Sequence, residues 1–444
     1  MANTVASAQV TLWGTQIGTV IWHNNLGYFE YDKKLLGSGI ELSPLQMPLA
    51  DRAYSFSALN RDTYKGLPGL LADSLPDKFG NRLINQWLER QGRAQADFSP
   101  IDRLCYIGNR GMGALEFQPT LSRQAEKSMP LEVSELVALA NDALSNKQQL
   151  TTPLGDDDRA RQQAVQQIIS VGTSAGGARA KAVIAWNQTT NEVRSGQVKT
   201  DPGFDYWLLK FDGVEENRDH ESLADPQGFS IVEYAYYLMA KAAGIDMSEC
   251  RLFHEHGRAH FMTHRFDRLD GGEKLHMQSL CGLAHFDFNQ SGGYSYEQAF
   301  GVLRDLRLPN PAFREFYRRM VFNIIARNQD DHTKNISFLM DKRGQWRLSP
   351  AYDITHCNGQ GWTRQHQMTV NGKQNNFTLD DLIATARHGD LSRSTALSII
   401  NDVLNAVQQW PAFASEAGVP EQAPDGNARH SWQEAIGQDH RTQW

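Results

Sequence analysis

Apolar positions along this chain change period several times, and each change marks an element. From Pro311 to Arg327, Phe313, Phe316, Tyr317, Met320, Val321, Ile324 and Ile325 recur at three- and four-residue spacing, while Arg314, Arg318 and Arg319 fall off that face. This pattern predicts a buried helix that stops at Arg327-Asn328. The period then drops to two: Ile336, Phe338 and Met340 share a strand face, Asp341-Lys342-Arg343-Gly344 makes a turn, and Trp346 and Leu348 mark the return strand. Alternation also opens the chain, where Val10 and Leu12, then 17–23 and 27–31, predict three strands of a small sheet. Later runs predict strands at 182–186, 207–211, 251–256 and 260–264. Helical spacing returns at Phe79, Leu83, Ile84, Trp87 and Leu88, again at 231–242, and dominates from Leu275 onward.

Punctuation sets the boundaries. Leu67-Pro68 and Leu75-Pro76-Asp77 bracket a turn, and Ser74 or Asp77 is placed to cap the helix that follows. Gly108-Asn109-Arg110-Gly111-Met112-Gly113 lacks the spacing of a phosphate loop and reads as a turn before a strand at 114–117. The polar stretch 145–160 is expected to lead from a first domain into the next, and the polar residues after Pro420 are expected to be loosely ordered.

At 444 residues, 40% hydrophobic and 21% charged, the chain has the composition of a globular protein of two or three domains. No apolar run reaches membrane-spanning length and Met1-Ala2-Asn3-Thr4 is unlike a signal peptide, so a cytoplasmic protein without membrane contact is expected. Cys105, Cys250, Cys281 and Cys357 show no paired spacing, which argues for reduced thiols. A net charge of -7 disfavours a whole-surface nucleic-acid binder.

Candidate chemistry concentrates after the central helix. Gln329-Asp330-Asp331-His332-Thr333-Lys334-Asn335 is too polar for a core, and the antiparallel hairpin beyond it returns the chain so that Asp353 can approach Asp330 and Asn335. Protein kinases use a catalytic-loop Asp, an Asn five residues later and a second metal-binding Asp beyond a hairpin. On that reading Asp330 accepts the substrate hydroxyl proton, and Asn335 and Asp353 hold cations.

Upstream, Gly176-Gly177-Ala178-Arg179-Ala180-Lys181 is small and basic before a strand, a composition suited to wrapping phosphate oxygens. Lys210 interrupts an apolar strand, where an ammonium is costly without an anion, and Glu233 on the next helix is a candidate ion-pair partner for it. His254, His256, His260 and His264 alternate along two strands but lack accompanying carboxylates or thiolates, so ordinary histidines are the better reading than a metal site.

The ordered set of Gly176 to Lys181, the Lys210 strand, His264-Arg265-Phe266-Asp267-Arg268, Asp330 to Asn335 and Tyr352-Asp353-Ile354 resembles the HipA family of serine/threonine kinase toxins. The resemblance, which includes Leu67-Pro68 and Leu75-Pro76-Asp77, implies an α+β, protein-kinase-like two-lobed fold with a small N-terminal α/β domain and a mainly helical C-terminal lobe. The expected divisions are an N-terminal subdomain over 1–125, a kinase N-lobe with the phosphate loop over 126–265, a helical C-lobe over 266–420 and a tail over 421–444. It implies ATP and Mg2+ as ligands, with Lys210, Gly176, Gly177, Ala178, Arg179, Lys181, His264, Phe266, His332 and Lys334 around the nucleotide. Ser174 resembles the family's autophosphorylated serine, and its phosphate would add negative charge where ATP phosphates sit. A helix-turn-helix antitoxin of HipB type is the implied partner, with DNA reached only through it. A protein substrate is implied, aminoacyl-tRNA synthetases among the candidates. His264 stands where many members carry Glu, and Gly-Gly-Ala-Arg replaces Ala-Gly-Ala-Gln. A small-molecule phosphotransferase and a catalytically idle corepressor are the alternative readings.

Overall fold

A computed structural model of the chain describes residues 5–90, 92–121, 131, 133–144, 179–197, 199–214, 228–359 and 361–420. The segment up to Ala178, expected to cradle phosphate, and the polar tail lie outside these residues. The chain divides into two compact units: Met1–Pro226 with Phe253–Gln278 and Leu339–Gln345, and Gln227–Leu252 with Ser279–Phe338 and Trp346–Trp444.

The first unit opens with β1 (Ser7–Leu12), β2 (Thr15–His23), β3 (Leu26–Tyr31), β4 (Ala53–Tyr54) and β5 (Leu115–Gln118), an antiparallel sheet in the order β4-β3-β2-β1-β5. Alternation along β1 buries Ala8, Val10 and Leu12 on one face. Gly18 in β2 is required by close packing, since a Cβ there would lie 2.4 Å from the Glu30 carbonyl oxygen and 2.6 Å from the Phe29 ring. Of the two candidate caps for the Lys78–Arg90 helix, Asp77 is the one used, and its Oδ1 accepts the Gly80 N–H at 2.6 Å.

A second sheet follows, made of β6 (Lys181–Asn187), β7 (Glu192–Ser195), β8 (Asp205–Lys210), β9 (Cys250–Glu255) and β10 (Arg258–His264), in the order β7-β6-β8-β10-β9. One face of it, carrying Ala182, Ile184, Trp207, Leu209 and Met262, joins Phe79, Leu83, Leu88, Leu136 and Val137 in a single apolar cluster. The two-residue period sends Lys181 and Lys210 to the opposite face, where β6 and β8 set them directly across from each other. The turn at 108–113 is tied to the chain beyond β10 through a buried carboxylate. Asp267 accepts from Gly113 N–H at 2.7 Å, from Arg265 at 2.9 and 2.7 Å and from Arg268 at 2.6 Å, while Arg268 also donates to the carbonyls of Gly111 and Gly113. Burial pushes the Asp267 carboxyl up, but the two guanidinium groups outweigh it and hold it below the usual carboxylate range. The strand β11 (His276–Ser279) comes next in the chain.

The second unit is mainly helical: Phe229–Ala242, Tyr296–Asp305, Asn310–Ile325, Leu379–Ala386, Arg393–Gln408 and Trp410–Ala417. The Asn310–Ile325 helix is its axis, burying the seven apolar residues that define its pattern. Its neighbours are tied to it by hydrogen bonds: Tyr317 Oη donates to the Leu382 carbonyl at 3.0 Å, and Arg318 to the Ala243 carbonyl at 2.7 Å. One expectation fails here. Arg319, which the pattern places off the apolar face, is buried, because Glu315 one turn earlier accepts from its Nε at 2.7 Å and the Asp246 carbonyl accepts from its Nη2 at 3.3 Å. After this helix, β12 (Ser337–Met340) and β13 (Trp346–Leu348) form the expected hairpin. Its turn is set by the Asp341 carboxylate, which accepts the N–H groups of Arg343 and Gln345, and by Gly344 at φ +78°.

Candidate active site

The central helix gives way at Arg327, whose φ of +57° turns the chain out of the helical path. The strip that follows is laced to a strip almost thirty residues later: Gln329 N–H donates to the Cys357 carbonyl and Cys357 N–H to the Arg327 carbonyl, each at 3.0 Å. That short parallel bridge, rather than the hairpin alone, brings Asp353 alongside the loop containing Asp330.

Within the loop, Asn335 Nδ2 donates to the Asp330 carbonyl oxygen at 3.0 Å. The amide nitrogen is thereby committed, leaving Oδ1 as the ligand atom. Asp353 adopts φ +55°, a left-handed conformation that Asp tolerates better than most residues, and Tyr352 before it donates its hydroxyl to the Lys334 carbonyl at 2.6 Å. Asn335 and Asp353 line one cavity of about 30 Å³ of mixed character, together with the polar Tyr296, Asn323, Asn328 and Asp331, the basic Arg319 and the apolar Phe316, Ile336 and Ile354. A space of that size holds a water molecule or a small cation, not a nucleotide.

Asp330 is half-buried. Burial pushes its carboxyl pKa up, the neighbouring Asp353 adds to the rise, and His332 and the Trp362 indole oppose it. His332 Nε2 lies 3.9 Å from Asp330 Oδ1, and Trp362 Nε1 donates to the same oxygen at 3.2 Å. Replacing Trp362 by Phe removes a donor to the ionised form, so the acid limb of a pH–activity profile is expected to move to higher pH; an unmoved limb would show that this bond does not act on Asp330.

These groups suit a divalent cation of the Mg2+ type. Asn335 Oδ1 and the Asp353 carboxylate are hard oxygen donors, and the Asp353 charge that raises the Asp330 pKa is one that a cation would offset.

Beneath the loop, Asp331 has a function that its sequence context does not reveal. Almost wholly buried, its Oδ2 accepts from the Tyr296 hydroxyl at 2.8 Å and from His366 Nδ1 at 3.0 Å, and its Oδ1 accepts the Gln367 N–H at 2.7 Å. The Tyr296 oxygen in turn accepts from Asn323 Nδ2 at 3.0 Å, and Asn323 Oδ1 accepts from Asn328 Nδ2 at 2.9 Å. The carboxylate therefore fixes the backbone next to Asp330 from below. Two further loop residues share one aromatic platform, with the His332 ring 5.4 Å from that of Phe288 and the Lys334 ammonium 5.1 Å from its centroid.

Residues 173–410 match the family model of the HipA-like C-terminal domain, and residues 8–118 match that of the HipA N-terminal domain. The chain belongs to the HipA family. Its fold is similar to that of a HipA chain of Shewanella oneidensis, solved in a toxin–antitoxin complex with HipB and operator DNA. That match has a TM-score of 0.68 at 18% identity and covers 98% of this chain and 97% of the other. The α+β fold expected from the sequence is therefore that of a HipA protein. Among curated proteins, "Putative kinase Y4mE" of Sinorhizobium fredii is 24% identical over 193 residues, 41% of this chain. A Haemophilus influenzae protein also named "Putative kinase" is 26% identical over 160 residues, 32% of this chain. This chain spans 39% and 47% of the lengths of those two relatives.

Asp330, His332, Lys334, Asn335 and Asp353 belong to the second unit, as does Glu233, buried in the Phe229–Ala242 helix. Lys181, Lys210, His264 and Phe266 belong to the first. There Lys210 is buried on β8 with its ammonium 5.6 Å from the Phe261 ring, and the His264 ring meets Trp207 edge-on at 5.1 Å. Arg179 and Phe266 are half-buried, while Ser174, Gly176, Gly177 and Ala178 lie outside the described residues. Of the four strand histidines, His260 is a core residue whose Nδ1 accepts the Asp212 N–H at 3.0 Å; burial lowers its pKa to about 4. Among the described residues, no helix is long and apolar enough to cross a membrane.

Proposed function

We propose that this chain is an ATP-dependent protein serine/threonine kinase of HipA toxin type. The observation that carries the reading is the lacing of Asp330, Asn335 and Asp353 into one cluster, with the Asn335 amide anchored on the Asp330 carbonyl and both cation-ligand candidates on one cavity. Asp330 accepts the proton of the attacking hydroxyl and aims its oxygen at the γ-phosphate. Its raised pKa brings the base closer to working pH than an ordinary carboxylate. Asn335 and Asp353 hold Mg2+, which supplies charge neutralisation at the transferring phosphoryl oxygens. Lys210, with Glu233 its candidate ion-pair partner, and Lys181, Arg179 and the Gly176-Gly177-Ala178 backbone bind the triphosphate; His264 and Phe266 flank the base; His332 and Lys334 bind the nucleotide.

The same reading divides the chain into an N-terminal subdomain over 1–125, an N-lobe over 126–265 and a C-lobe over 266–420. It assigns Ser174 as an autophosphorylation site that turns the enzyme off. The substrate is a cytoplasmic protein, a translation component such as an aminoacyl-tRNA synthetase being the class that the family implies. A HipB-like, DNA-binding antitoxin is the partner, a proposal supported by the Shewanella complex.

Incubation with γ-labelled ATP and Mg2+ tests the function. Label in protein, lost in Asp330→Ala, supports it. Label only in added metabolites points to a small-molecule phosphotransferase, and ATP binding without any transfer to an idle corepressor.

A further inference from the structure

The Leu75-Pro76-Asp77 turn lies far along the chain from every residue assigned to phosphate, and locally it serves to start a helix. The first unit gives Asp77 a second role. Oδ1 is committed to the cap, and Oδ2 lies 4.0 Å from Lys181 Nζ, both side chains being 3% exposed. Lys181 in turn faces Lys210 across β6 and β8, so two buried ammonium side chains leave the sheet on one face, directly opposite each other. Like charges in that position repel, and burial adds to the cost. A carboxylate held rigidly by a helix cap beside one of them offsets that cost and limits the directions in which the ammonium can point.

We infer that Asp77 is a positioning residue for phosphate binding: it holds Lys181 oriented beside Lys210, so that the pair presents two cations to the oxygens of a nucleoside triphosphate. The inference rests on the kinase reading, because it takes the Lys181 and Lys210 face as the triphosphate face. It adds that a residue of the N-terminal domain sets the affinity of that face.

Asp77→Asn isolates the charge, since an Asn side-chain oxygen caps a helix about as well as that of Asp and keeps the Gly80 bond. In the full chain, with Mg·ATP and inorganic tripolyphosphate as probes in direct binding titrations, Asp77→Asn is expected to weaken both about tenfold, the equivalent of ~1.4 kcal/mol. Lys181→Met is expected to weaken both as well. The double variant should bind no worse than Lys181→Met alone, because Asp77 acts through Lys181. A purely structural role for Asp77 would lower the melting temperature without moving these affinities. Unchanged or tighter binding by a folded Asp77→Asn, or additive losses in the double variant, overturns the inference and leaves the kinase reading intact. If the unsubstituted chain binds neither probe, both fall.

Discussion

Asp330→Asn is expected to lose phosphoryl transfer by about 10²–10⁴-fold and yet to melt no lower than the parent chain at neutral pH. The activity loss follows from removing the proton acceptor while leaving the backbone carbonyl that anchors Asn335 in place. The stability result follows from the direction of the Asp330 shift. Burial, with Asp353 adding to it, raises this carboxyl above its unfolded value, so the folded chain holds the proton more tightly than the unfolded one. As pH rises from the ordinary carboxylate range through the raised value, the folded state loses stability, and above that value the penalty is fully present. Asn carries no charge and escapes it. Thermal melts across the acid range should therefore show the variant's relative advantage growing with pH until the raised value is passed, then levelling. An advantage that shrinks as pH rises would mean that Asp330 is stabilised, not strained, as an anion.

The largest loss of stability is expected from Asp267→Asn, at about 3–5 kcal/mol, because it leaves two buried guanidinium groups facing a neutral amide. Asn can still accept from Gly113 N–H, so the change reports on charge more than on the loop's backbone bond. Asp267 is depressed in the folded state, so its contribution is complete above the ordinary carboxylate range and fades as pH falls through that range and below it. The variant should accordingly show both a lower urea midpoint at neutral pH and a flatter decline of stability with acid. A loss below about 1 kcal/mol would mean that the guanidinium groups find water or other acceptors when the carboxylate goes.

The parts of this molecule that are legible in the sequence are those in which period and burial agree. The apolar face of the Asn310–Ile325 helix, the alternation of β1 to β3 and the Asp341 to Gly344 turn each follow from residues within a few positions of one another. Short elements without such a pattern escape, among them the two-residue β4, the four-residue β7 and the Pro100–Ile107 helix with its Ser99 and Asp102 capping box. In the site, the spacing of Asp330 and Asn335 points to their roles, and the hairpin shows how Asp353 could return. The supports do not show because they are non-local. Asp331 is one more acidic residue in a polar turn until His366 and Gln367, thirty-five and thirty-six positions later, come down on it. Trp362, in an irregular stretch, carries no periodic signal, and Asp267 acts on Gly113 across 154 positions. Arg319 is misplaced for the same kind of reason: a helical wheel assigns charge to solvent, whereas Glu315 and the Asp246 carbonyl satisfy the guanidinium indoors.

On this reading Asn335 and Asp353 are ligands of one cation beside the base. Titration of the full chain with Mn2+, followed by electron paramagnetic resonance in the presence of a non-hydrolysable ATP analogue, tests it without relying on turnover. Asn335→Ala and Asp353→Asn are each expected to weaken cation binding at least about tenfold, while Asp330→Asn, which removes the base and not a ligand, leaves the bound-cation signal in place. Cation binding that survives both ligand substitutions, or that is lost only with Asp330, would contradict it.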